Sequence, residues 1–386
     1  MAVQFEKTKN KLLVSDASST GSLQRSFFGA PSEKDKSKLE LEPFEALYLL
    51  DVRGATCTED TKEITFNEVA EPFKNEAKFL AKYFCYRDWR DRGLIARSIL
   101  DTSEKYSRSD TVKYPGVDFD VPKVTSKALY FADDLMSVID NNEEGERLYG
   151  DYWFGQYGTY KSKKHGSLLK LDAYETLFLA NHGKLKLDEK KEKIEKEAKK
   201  RRSDFDSLYE VYEDLRLRGF VLKTGFKFGT HFRLYFPGAK PSLANDEWMH
   251  SKHVIHVFPR DLKLIISEWA RAIRVAHSVR KTFILAIPGK KKETKTTLDF
   301  LLYHRSGAQI DNPKLNKPTF AMLALSEEEE ISGQDLAQAI ATARKMELQL
   351  VLSICDRETS VTHYKVTRIE LEKSAYEYYE IEWLQP

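Results

Sequence analysis

The feature of this sequence that most constrains its fold is that it repeats itself in two different ways. The stretch SFFGAPSEKDKSKLELEPFEALYLLD returns as YWFGQYGTYKSKKHGSLLKLDAYETLFLAN, and Phe28 matches Phe154 at an offset of 126 residues. YRDWRDRG and YEDLRLRG lie at that same offset, whereas Glu45 and Glu175 lie 130 residues apart. Each copy reads as a Phe-Gly turn, a loop, a short strand and an apolar helix. The pattern therefore predicts a small α/β layer, here called N-type, that occurs twice.

The second repeat lies further along the chain. WARAIRVAHSVRKTFILAI aligns without gaps on LAQAIATARKMELQLVLSI, 67 residues later, and HVIHVF falls on FAMLAL at the same offset. This pattern predicts a strand–helix–strand layer, here called C-type, that also occurs twice. The fold class is therefore α/β, built from small α+β modules. The matching positions are Ala270, Ala272, Ile273, Ala276, Leu285 and Ile287 on Ala337, Ala339, Ile340, Ala343, Leu352 and Ile354.

The order N, N, C, C suggests how the chain divides into units. Polar stretches with few apolar anchors, one of them containing DTSEKYSRSD and the other SGAQIDNPKLNKP, read as linkers. We expect an N-type unit at 1–97, a linker at 98–124, a central unit at 125–305 (layers 125–224 and 225–305), a linker at 306–318 and a C-type unit at 319–386.

Hydrophobic periodicity gives a coarse secondary structure. Apolar residues at helical spacing predict one long helix over Asp188–Leu217 and an amphipathic helix over Arg260–Arg280, and Ser332 with Asp335 predicts a helix start. The lysine- and glutamate-rich run KKEKIEKEAKKRR reads as a solvated helix face. Shorter helices are expected at Phe44–Leu50 and Ala173–Ala180. Strands are expected at Lys11–Ser15, Lys127–Phe131, Phe232–Phe236, Val254–Phe258, Phe283–Ile287, Leu298–Tyr303 and Thr362–Thr367.

Composition excludes several classes of protein. The 386 residues are 41% hydrophobic and 32% charged, with a net charge of only +2, which argues against indiscriminate coating of nucleic acid but leaves room for a local basic groove. Cys57, Cys85 and Cys355 are too few and too scattered for a disulfide framework or a CxxC zinc site, so we expect free thiols. Neither an apolar signal core nor a run of roughly 18 apolar residues occurs, and we expect a cytoplasmic protein without a membrane span.

One region resembles a known family. The block RGFVLKTGFKFGTHFRLY is followed by MHSKHVIHVF and then by IRVAHSVRK, in that order. This combination resembles the catalytic region of archaeal tRNA-splicing endonucleases, and the WFG turn with its apolar helix resembles their N-terminal layer. The chain resembles a three-unit enzyme in which a degenerate subunit is split around a working one. The resemblance implies metal-independent cleavage of precursor tRNA at bulge–helix–bulge junctions, leaving 2′,3′-cyclic phosphate and 5′-hydroxyl ends.

The resemblance also implies the catalytic residues. The tyrosine that ends FR-x-Y is Tyr235, the histidine that opens H-S-K is His250, and the lysine that ends VAHSVRK is Lys281. These residue types suit the reaction, because histidine transfers protons near neutral pH and an ammonium stabilises developing negative charge. We assign Tyr235 as base, His250 as acid and Lys281 as electrostatic stabiliser; the base and acid labels stay open. No metal or other cofactor is needed for this scheme.

The internal repeat tests the assignment. At the 67-residue offset, His250 falls on Lys317 and Lys281 falls on Leu348, so the second C-type layer keeps the apolar pattern and lacks the polar candidates. This predicts one active site per chain. Isolated histidines are more often packing residues than catalytic ones, and we interpret His231, His253, His256 and His277 in that way.

Further residues are candidate RNA contacts. Arg274 lies seven residues before Lys281, on the same predicted helix face, and the resemblance suggests that it and Arg305 sandwich a flipped bulge base. The alternative is a pair of surface arginines in ion pairs. The loop YGTYKSKKHG carries Lys161, Lys163 and Lys164, which either contact phosphates and broaden the range of accepted bulges or form a solvated loop.

The final unit provides a candidate dimer contact. Its loop SICDRETSVTH carries Asp356 and Glu358, whereas the equivalent loop of the central unit, PGKKKETKTT, is basic. By resemblance, the acidic loop enters a positive pocket of a second chain in a homodimer with two active sites. The edge strands Leu298–Tyr303 and Thr362–Thr367 are expected to pair the two C-type layers. The alternatives are a non-catalytic RNA-binding protein and a structural subunit of a hetero-oligomeric endonuclease.

Overall fold

The structure is a computed structural model of the chain. It describes residues 3–9, 11–99, 104–108, 110–160, 165–242, 249–291 and 296–386. Within these ranges, no helix is both long and apolar enough to cross a lipid bilayer. Cys57, Cys85 and Cys355 are buried free thiols, as predicted.

The first N-type layer is a mixed sheet with helices packed on it, and its strand order is β3-β4-β2-β1-β5-β6. It ends in helix α4, from which the chain passes into β7 and then β8. The elements are β1 (Gln4–Thr8), β2 (Lys11–Val14), α1 (Ala17–Arg25), β3 (Ala30–Pro31), β4 (Leu39–Leu41), α2 (Pro43–Arg53), β5 (Thr56–Glu59), β6 (Lys62–Ile64), α3 (Phe66–Ala70), α4 (Phe79–Asp91), β7 (Ile95–Ser98) and β8 (Thr111–Lys113).

The second N-type layer repeats this arrangement with strand order β11-β12-β10-β9-β13. Its last helix, α8, starts 126 residues after α4, which is the offset between YRDWRDRG and YEDLRLRG. The elements are β9 (Lys127–Phe131), β10 (Met136–Ile139), α5 (Asn142–Tyr152), β11 (Gln156–Tyr157), β12 (Leu169–Asp172), α6 (Ala173–His182), β13 (Lys186–Leu187), α7 (Lys191–Arg201) and α8 (Phe205–Leu217).

The repeated glycine and glutamate have one structural purpose in both layers. Gly29 and Gly155 have φ angles of 67° and 62°, and a Cβ on Gly155 would lie 2.4 Å from the Lys170 carbonyl oxygen, so only glycine fits the turn. The buried carboxylates of Glu45 and Glu175 accept hydrogen bonds from the Gly29 and Gly155 N–H groups, at 3.0 Å and 2.8 Å. The matched residues therefore tie each Phe-Gly turn to the start of the following helix.

A cation completes each of these buried sites. Arg97 Nη1 lies 2.9 Å from Glu45 Oε1, and Lys223 Nζ lies 2.7 Å from Glu175 Oε1. Burial nevertheless raises the pKa of Glu45 to about 6. Arg97 and Lys223 belong to β7 and to the equivalent strand of the second copy, so each ion pair joins an N-type layer to the sheet described next.

Both C-type layers belong to one continuous sheet, in which strands of the same layer need not be consecutive in sequence. Its order is β14-β15-β16-β18-β26-β25-β24-β22-β19-β7, and β8 pairs in parallel with β25. The elements are β14 (Val221–Thr224), β15 (Phe232–Tyr235), β16 (His253–Val257), β17 (Lys263–Ile265), α9 (Ile266–Ser278), β18 (Thr282–Ile287), β19 (Phe300–Tyr303), β20 (Arg305–Ser306), β21 (Gln309–Ile310), β22 (Phe320–Ser326), β23 (Glu330–Ser332), α10 (Gly333–Lys345), β24 (Gln349–Cys355), β25 (Val361–Glu370) and β26 (Glu377–Leu384).

This strand order is symmetric about its centre. The offsets match β16 to β22 and β18 to β24, and both pairs are parallel; β14 matches β7, and β15 takes the place that β19 takes in the copy. The first N-type layer thus joins the last C-type layer through β7 and β19, whereas the second N-type layer joins the adjacent C-type layer through β14 and β15.

The hydrophobic cores follow the same division. One core packs the first N-type layer against the last C-type layer, and another packs the second N-type layer against the central C-type layer. A third core lies between the two C-type layers and includes Trp269 and Ile273 of α9 together with Leu336 and Ile340 of α10. Because the apolar face of α9 and the apolar face of α10 are buried in this shared core, the two C-type layers are fixed to each other.

Three predictions of secondary structure and pairing are wrong. The helix over Asp188–Leu217 is two helices, α7 and α8, because the chain leaves helical geometry at Arg202, which ion-pairs with Asp204. The helix over Arg260–Arg280 begins only at Ile266, since the preceding residues form β17 and pair with β23.

The solvated face predicted for the lysine-rich run is confirmed, with only Ile194 and Ala198 of α7 buried.

The third error concerns how the C-type layers meet. The strand predicted over Leu298–Tyr303 does not pair with the strand predicted over Thr362–Thr367; β19 pairs with β22 and β7 instead. The layers meet through β26, which pairs with β18 on one side and with β25 on the other. The division into units, with the central unit at 125–305, remains a proposal.

Candidate active site

Tyr235 is placed by the last position of β15, where the strand meets the second N-type layer. Its side chain is buried, and its ring centroid lies 4.6 Å from that of Trp153, the residue before the Phe-Gly turn. Arg233, two residues earlier on the same strand face, donates from Nη1 to the Tyr235 hydroxyl oxygen at 3.1 Å. Burial raises the pKa of Tyr235, while Arg233 and hydrogen bonds from Ser251 act in the opposite direction.

Lys281 lies just after helix α9, in the turn that leads into β18. Arg280 adopts a left-handed backbone conformation with φ 53°, and the Lys281 N–H donates to the Ala276 carbonyl at 3.0 Å, which reverses the chain into β18. The Lys281 ammonium then lies 4.7 Å from the centre of the Phe228 ring. Burial and the nearby Arg233 lower the pKa of Lys281.

Ser251 joins these two side chains. It is only 5% exposed, and both its carbonyl oxygen and its Oγ accept hydrogen bonds from Lys281 Nζ, the latter at 3.2 Å. Its N–H and hydroxyl also interact with the Tyr235 phenol. Sequence reasoning missed Ser251 and Arg233 as parts of the site, although both stand inside the quoted motifs, next to His250 and two residues before Tyr235.

His250 immediately precedes Ser251 and is exposed. With Tyr235, Met249, Lys252 and His253 it lines an open cavity of about 420 Å³. The three predicted catalytic residues therefore gather around Ser251, with His250 at the solvent side of the cluster and Tyr235 at its buried side. The loop before His250 includes residues 243–248, outside the described part of the chain.

The other histidines are held by packing contacts. His231 accepts a hydrogen bond from the Val257 N–H at 2.8 Å, and its ring lies 4.5 Å from that of His256 in a tilted arrangement. Burial lowers the pKa of these two imidazoles to about 4 and about 3. His253 stacks on Phe236 at 4.7 Å, with a pKa of about 4. Such imidazoles stay neutral near pH 7, which suits a packing role.

The two predicted base-binding arginines lie in different surroundings. Arg274 is exposed on α9 and lines a small cleft with Asp356 and Tyr364 of the final unit. Arg305 belongs to the hairpin after β19 and donates to the Arg92 carbonyl oxygen of the first N-type layer. Arg274 and Lys281 also do not share a helix face, because α9 ends at Ser278. Sandwiching of a flipped base between these two arginines stays a prediction.

The remaining predicted residues are the three lysines after Tyr160 and the two acidic residues of the final unit. Lys161, Lys163 and Lys164 are outside the described residues, but Tyr160 before them is close enough to Tyr235 for its charge to affect the Tyr235 pKa. In the acidic loop, Asp356 Oδ1 accepts the N–H groups of Glu358 and Ser360, both at 2.9 Å, which forms a tight turn with Glu358 exposed at its tip.

The cluster combines groups that can move protons with fixed positive charge. Tyr235 and His250 supply the former, and Arg233 and Lys281 supply the latter, in a site partly withdrawn from water. Such an arrangement suits a reaction that passes protons and stabilises a phosphorane-like anion. In the ranges given above, no group of three or more His, Cys, Asp and Glu side chains is placed to hold a metal ion.

Comparison with known proteins connects this geometry with a family. The profile described as tRNA intron endonuclease, catalytic C-terminal domain, matches residues 205–298, and the profile described as tRNA intron endonuclease, N-terminal domain, matches twice, at 3–70 and 132–199. The two N-terminal matches coincide with the two N-type layers.

Individual relatives agree. The chain is 36% identical to the tRNA-splicing endonuclease of Hyperthermus butylicus, over 41% of this chain and 88% of that protein, and 37% identical to that of Methanopyrus kandleri, over 33% and 71%. It is 26% identical to that of Methanococcoides burtonii, over 74% of this chain and 95% of that protein. The chain is an endonuclease of the tRNA intron endonuclease family.

Proposed function

We propose that this chain cleaves precursor tRNA at bulge–helix–bulge intron–exon junctions without a metal ion, leaving 2′,3′-cyclic phosphate and 5′-hydroxyl ends. The observation that carries the proposal is the gathering of Tyr235, His250 and Lys281 around Ser251 in the region that matches the catalytic domain. We expect this reaction in the cytoplasm.

In the proposed reaction the 2′-oxygen attacks phosphorus while the bond to the 5′-oxygen breaks. The 2′-hydroxyl loses a proton to Tyr235, and the departing 5′-oxygen receives one from His250. Since burial raises the Tyr235 pKa, little phenolate exists at neutral pH, and the Arg233 and Ser251 contacts are what favour it. Lys281 stabilises the charge that builds up on the phosphoryl oxygens.

The decisive test is incubation of the purified chain alone with a bulge–helix–bulge RNA in EDTA. We expect cleavage by the wild type and loss of cleavage in His250→Ala, by on the order of 10²–10⁴-fold. His250 is exposed, so circular dichroism should show unchanged folding. No cleavage in EDTA that returns with Mg²⁺ would contradict metal independence, and cleavage only with an added protein would support the structural-subunit alternative.

The acid and base labels have their own test. A substrate with sulfur at the 5′-bridging position has a leaving group that needs no protonation. If His250 is the acid, this substrate should restore much of the rate of His250→Ala and little of the rate of Tyr235→Phe. Restoration of Tyr235→Phe alone would reverse the two labels.

We further propose a homodimer in which Asp356 and Glu358 enter a positive region of the partner chain. The preformed turn at Asp356, with Glu358 at its exposed tip, supports an inserting loop. Replacing both residues with Lys should give monomers in size-exclusion chromatography. Asp60→Lys with Glu63→Lys, on the exposed β5–β6 hairpin, is the matched control. A charge-reversed loop that leaves an intact, active dimer would refute the contact.

We also propose that the Lys161, Lys163 and Lys164 loop contacts phosphates and broadens the accepted bulges. The proximity of Tyr160 to Tyr235 supports a position beside the site. Lys161→Ala, and then each neighbour, should slow cleavage of non-standard bulges more than standard ones; equal slowing would count against this role. Arg274 and Arg305 remain candidate RNA contacts, and Arg274→Ala should weaken binding of an uncleavable RNA more than Arg305→Ala.

A further inference from the structure

The turn between β14 and β15, residues Gly225–Thr230, is held in one shape by its own backbone. The Gly225 N–H donates to the His231 carbonyl at 3.0 Å, and the Phe228 N–H donates to the Gly225 carbonyl at 2.8 Å. A Cβ on Gly225 would lie 2.5 Å from Thr230 Oγ1, so the close approach requires glycine. Side chains on this turn therefore project from a fixed frame.

The two phenylalanines of the turn have opposite environments. Phe228 is partly buried and lies beneath the Lys281 ammonium. Phe226, two residues earlier, is 86% exposed. Exposure of a whole phenyl ring on a rigid turn has no packing benefit, and its place two residues from the ring that contacts Lys281 distinguishes it from apolar residues scattered over a surface.

Cations and a second aromatic ring accompany Phe226. Lys227 Nζ lies 5.7 Å from the centre of the Tyr160 ring, and Tyr160 is 54% exposed. Tyr160 in turn affects the pKa of Tyr235, and Arg233 affects that of Lys281. The surface around the active site is thus an alternation of exposed aromatic rings and positive charges.

We propose that Phe226 is a stacking platform for an unpaired nucleobase next to the scissile phosphate, with Lys227 beside the adjoining backbone phosphate. Unstacked bases in RNA loops and bulges are held on aromatic side chains, and positive side chains beside such rings follow the backbone. This inference rests on the proposed function, since it assumes an RNA with bulged bases in the active site.

The flanking charges favour RNA over a second copy of this chain as the occupant. Lysine is depleted from the centres of protein–protein interfaces, whereas Lys227 of this turn lies over the Tyr160 ring and Lys281 lies over the Phe228 ring. The phosphates of an RNA backbone neutralise those lysines, and an unpaired nucleobase covers the exposed Phe226 ring.

The experiment uses an RNA whose scissile nucleotide is 2′-deoxy, so that it binds without being cleaved, with 2-aminopurine at each bulge position in turn. For Phe226→Ala we expect roughly 5- to 100-fold weaker binding and loss of the fluorescence quenching that stacking produces at one position. Phe226→Trp should keep both. Leu315→Ala is the matched control, because Leu315 is 84% exposed in the loop after β21, and it should change neither.

The outcomes separate this inference from the proposed function. Unchanged binding and quenching in Phe226→Ala would overturn the platform even if the wild type cleaves normally. A wild type that binds and quenches but does not cleave would overturn the proposed function and leave the platform standing. A change of Phe226→Ala from dimer to monomer in size-exclusion chromatography, with quenching intact, would show a contact between copies and overturn the platform. An unchanged thermal unfolding midpoint confirms that folding is not the cause.

Discussion

The two C-type layers share a backbone and differ in chemistry. At the end of α9, Arg280 has φ 53°, and at the end of α10, Glu347 has φ 54°. The following N–H groups, those of Lys281 and Leu348, each donate to a carbonyl oxygen five residues earlier, both at 3.0 Å. The chain reversal that places a lysine at the active site in one layer places a fully buried leucine in the other.

The other site positions differ only in part. The strand registers align Tyr235 with Tyr303 and Arg233 with Leu301, because β15 pairs with β14 and β16 in the same way as β19 pairs with β7 and β22, and Ser251 matches Pro318 at the 67-residue offset. The copy therefore keeps a tyrosine at the end of the strand and lacks the arginine and the serine. The comparison teaches that the apolar residues shared by the two layers carry the frame, and that the polar residues present in one layer only, Arg233, Ser251 and Lys281 among them, are the candidates for the reaction.

The copy is also covered by a segment of the predicted linker between the two N-type layers. The N–H groups of Tyr106 and Arg108 donate to the carbonyl oxygens of Met346 and Glu347, at 2.9 Å and 2.7 Å, and the Tyr106 ring is buried in the core between the two C-type layers. Part of the predicted linker 98–124 therefore packs across the degenerate position beside Leu348.

The most direct test of this comparison replaces Lys281 with leucine, the residue at the matching position of the copy. Lys281→Leu should lower the rate of cleavage by on the order of 10²–10³-fold, because no other group replaces the ammonium that faces Ser251. Single-turnover cleavage measures the effect. Lys345→Leu, an exposed lysine at the end of α10, should be fully active, and an active Lys281→Leu would show that the lysine serves only the fold.

A smaller effect is expected at Ser251. Ser251→Ala should slow cleavage roughly 10-fold, since it removes a hydrogen bond to a charged group. The Ser251 hydroxyl lowers the Tyr235 pKa, so its loss should raise that pKa further and move the rising limb of the pH–rate profile to higher pH, while the contact from the backbone N–H remains. A uniform loss of rate without that shift would contradict a role through Tyr235. Ser137→Ala, a buried serine of β10, is the control and should leave the profile unchanged.

The smallest effect on cleavage is expected from the segment that covers the copy. Tyr106→Ala should lower the free energy of unfolding by about 3 kcal/mol, because it empties a buried site, while the cleavage rate at a permissive temperature stays unchanged. Chemical denaturation and single-turnover cleavage measure the two quantities. A large loss of cleavage with little loss of stability would mean that the copy takes part in catalysis.

Much of the fold could be predicted because each pattern occurs twice, so that one copy supports the interpretation of the other. The strand Lys127–Phe131 was predicted at its observed bounds, and Ser332 accepts the Asp335 N–H at 3.0 Å as the predicted helix start requires. Glu45 and Glu175, noticed only as a repeated position, prove to be buried anchors of the Phe-Gly turns. The break at Arg202 was missed because apolar spacing continues across it, and local ion pairing, not periodicity, ends the helix there.

The site was predictable in its residue types and not in its connections. Motif order pointed to Tyr235, His250 and Lys281, although the catalytic roles of these residues remain a prediction. That Ser251 joins Tyr235 and Lys281 depends on strands and a helix end meeting in space, which a one-dimensional pattern does not encode. The same limit applies to Arg305, which follows β19 and lies beside the first N-type layer because β19 pairs with β7 and β22.

The sequence by itself determined the modules, because apolar periodicity, glycine turns and buried anchors are local properties that each copy must satisfy alone. Only the tertiary structure decided which modules join. Strand edges pair with whatever compatible edge lies beside them, so β19 joins the first N-type layer and β26 closes the sheet between the C-type layers. That long-range choice leaves one layer with an open polar cluster at Ser251 and the other with a leucine buried beneath the linker.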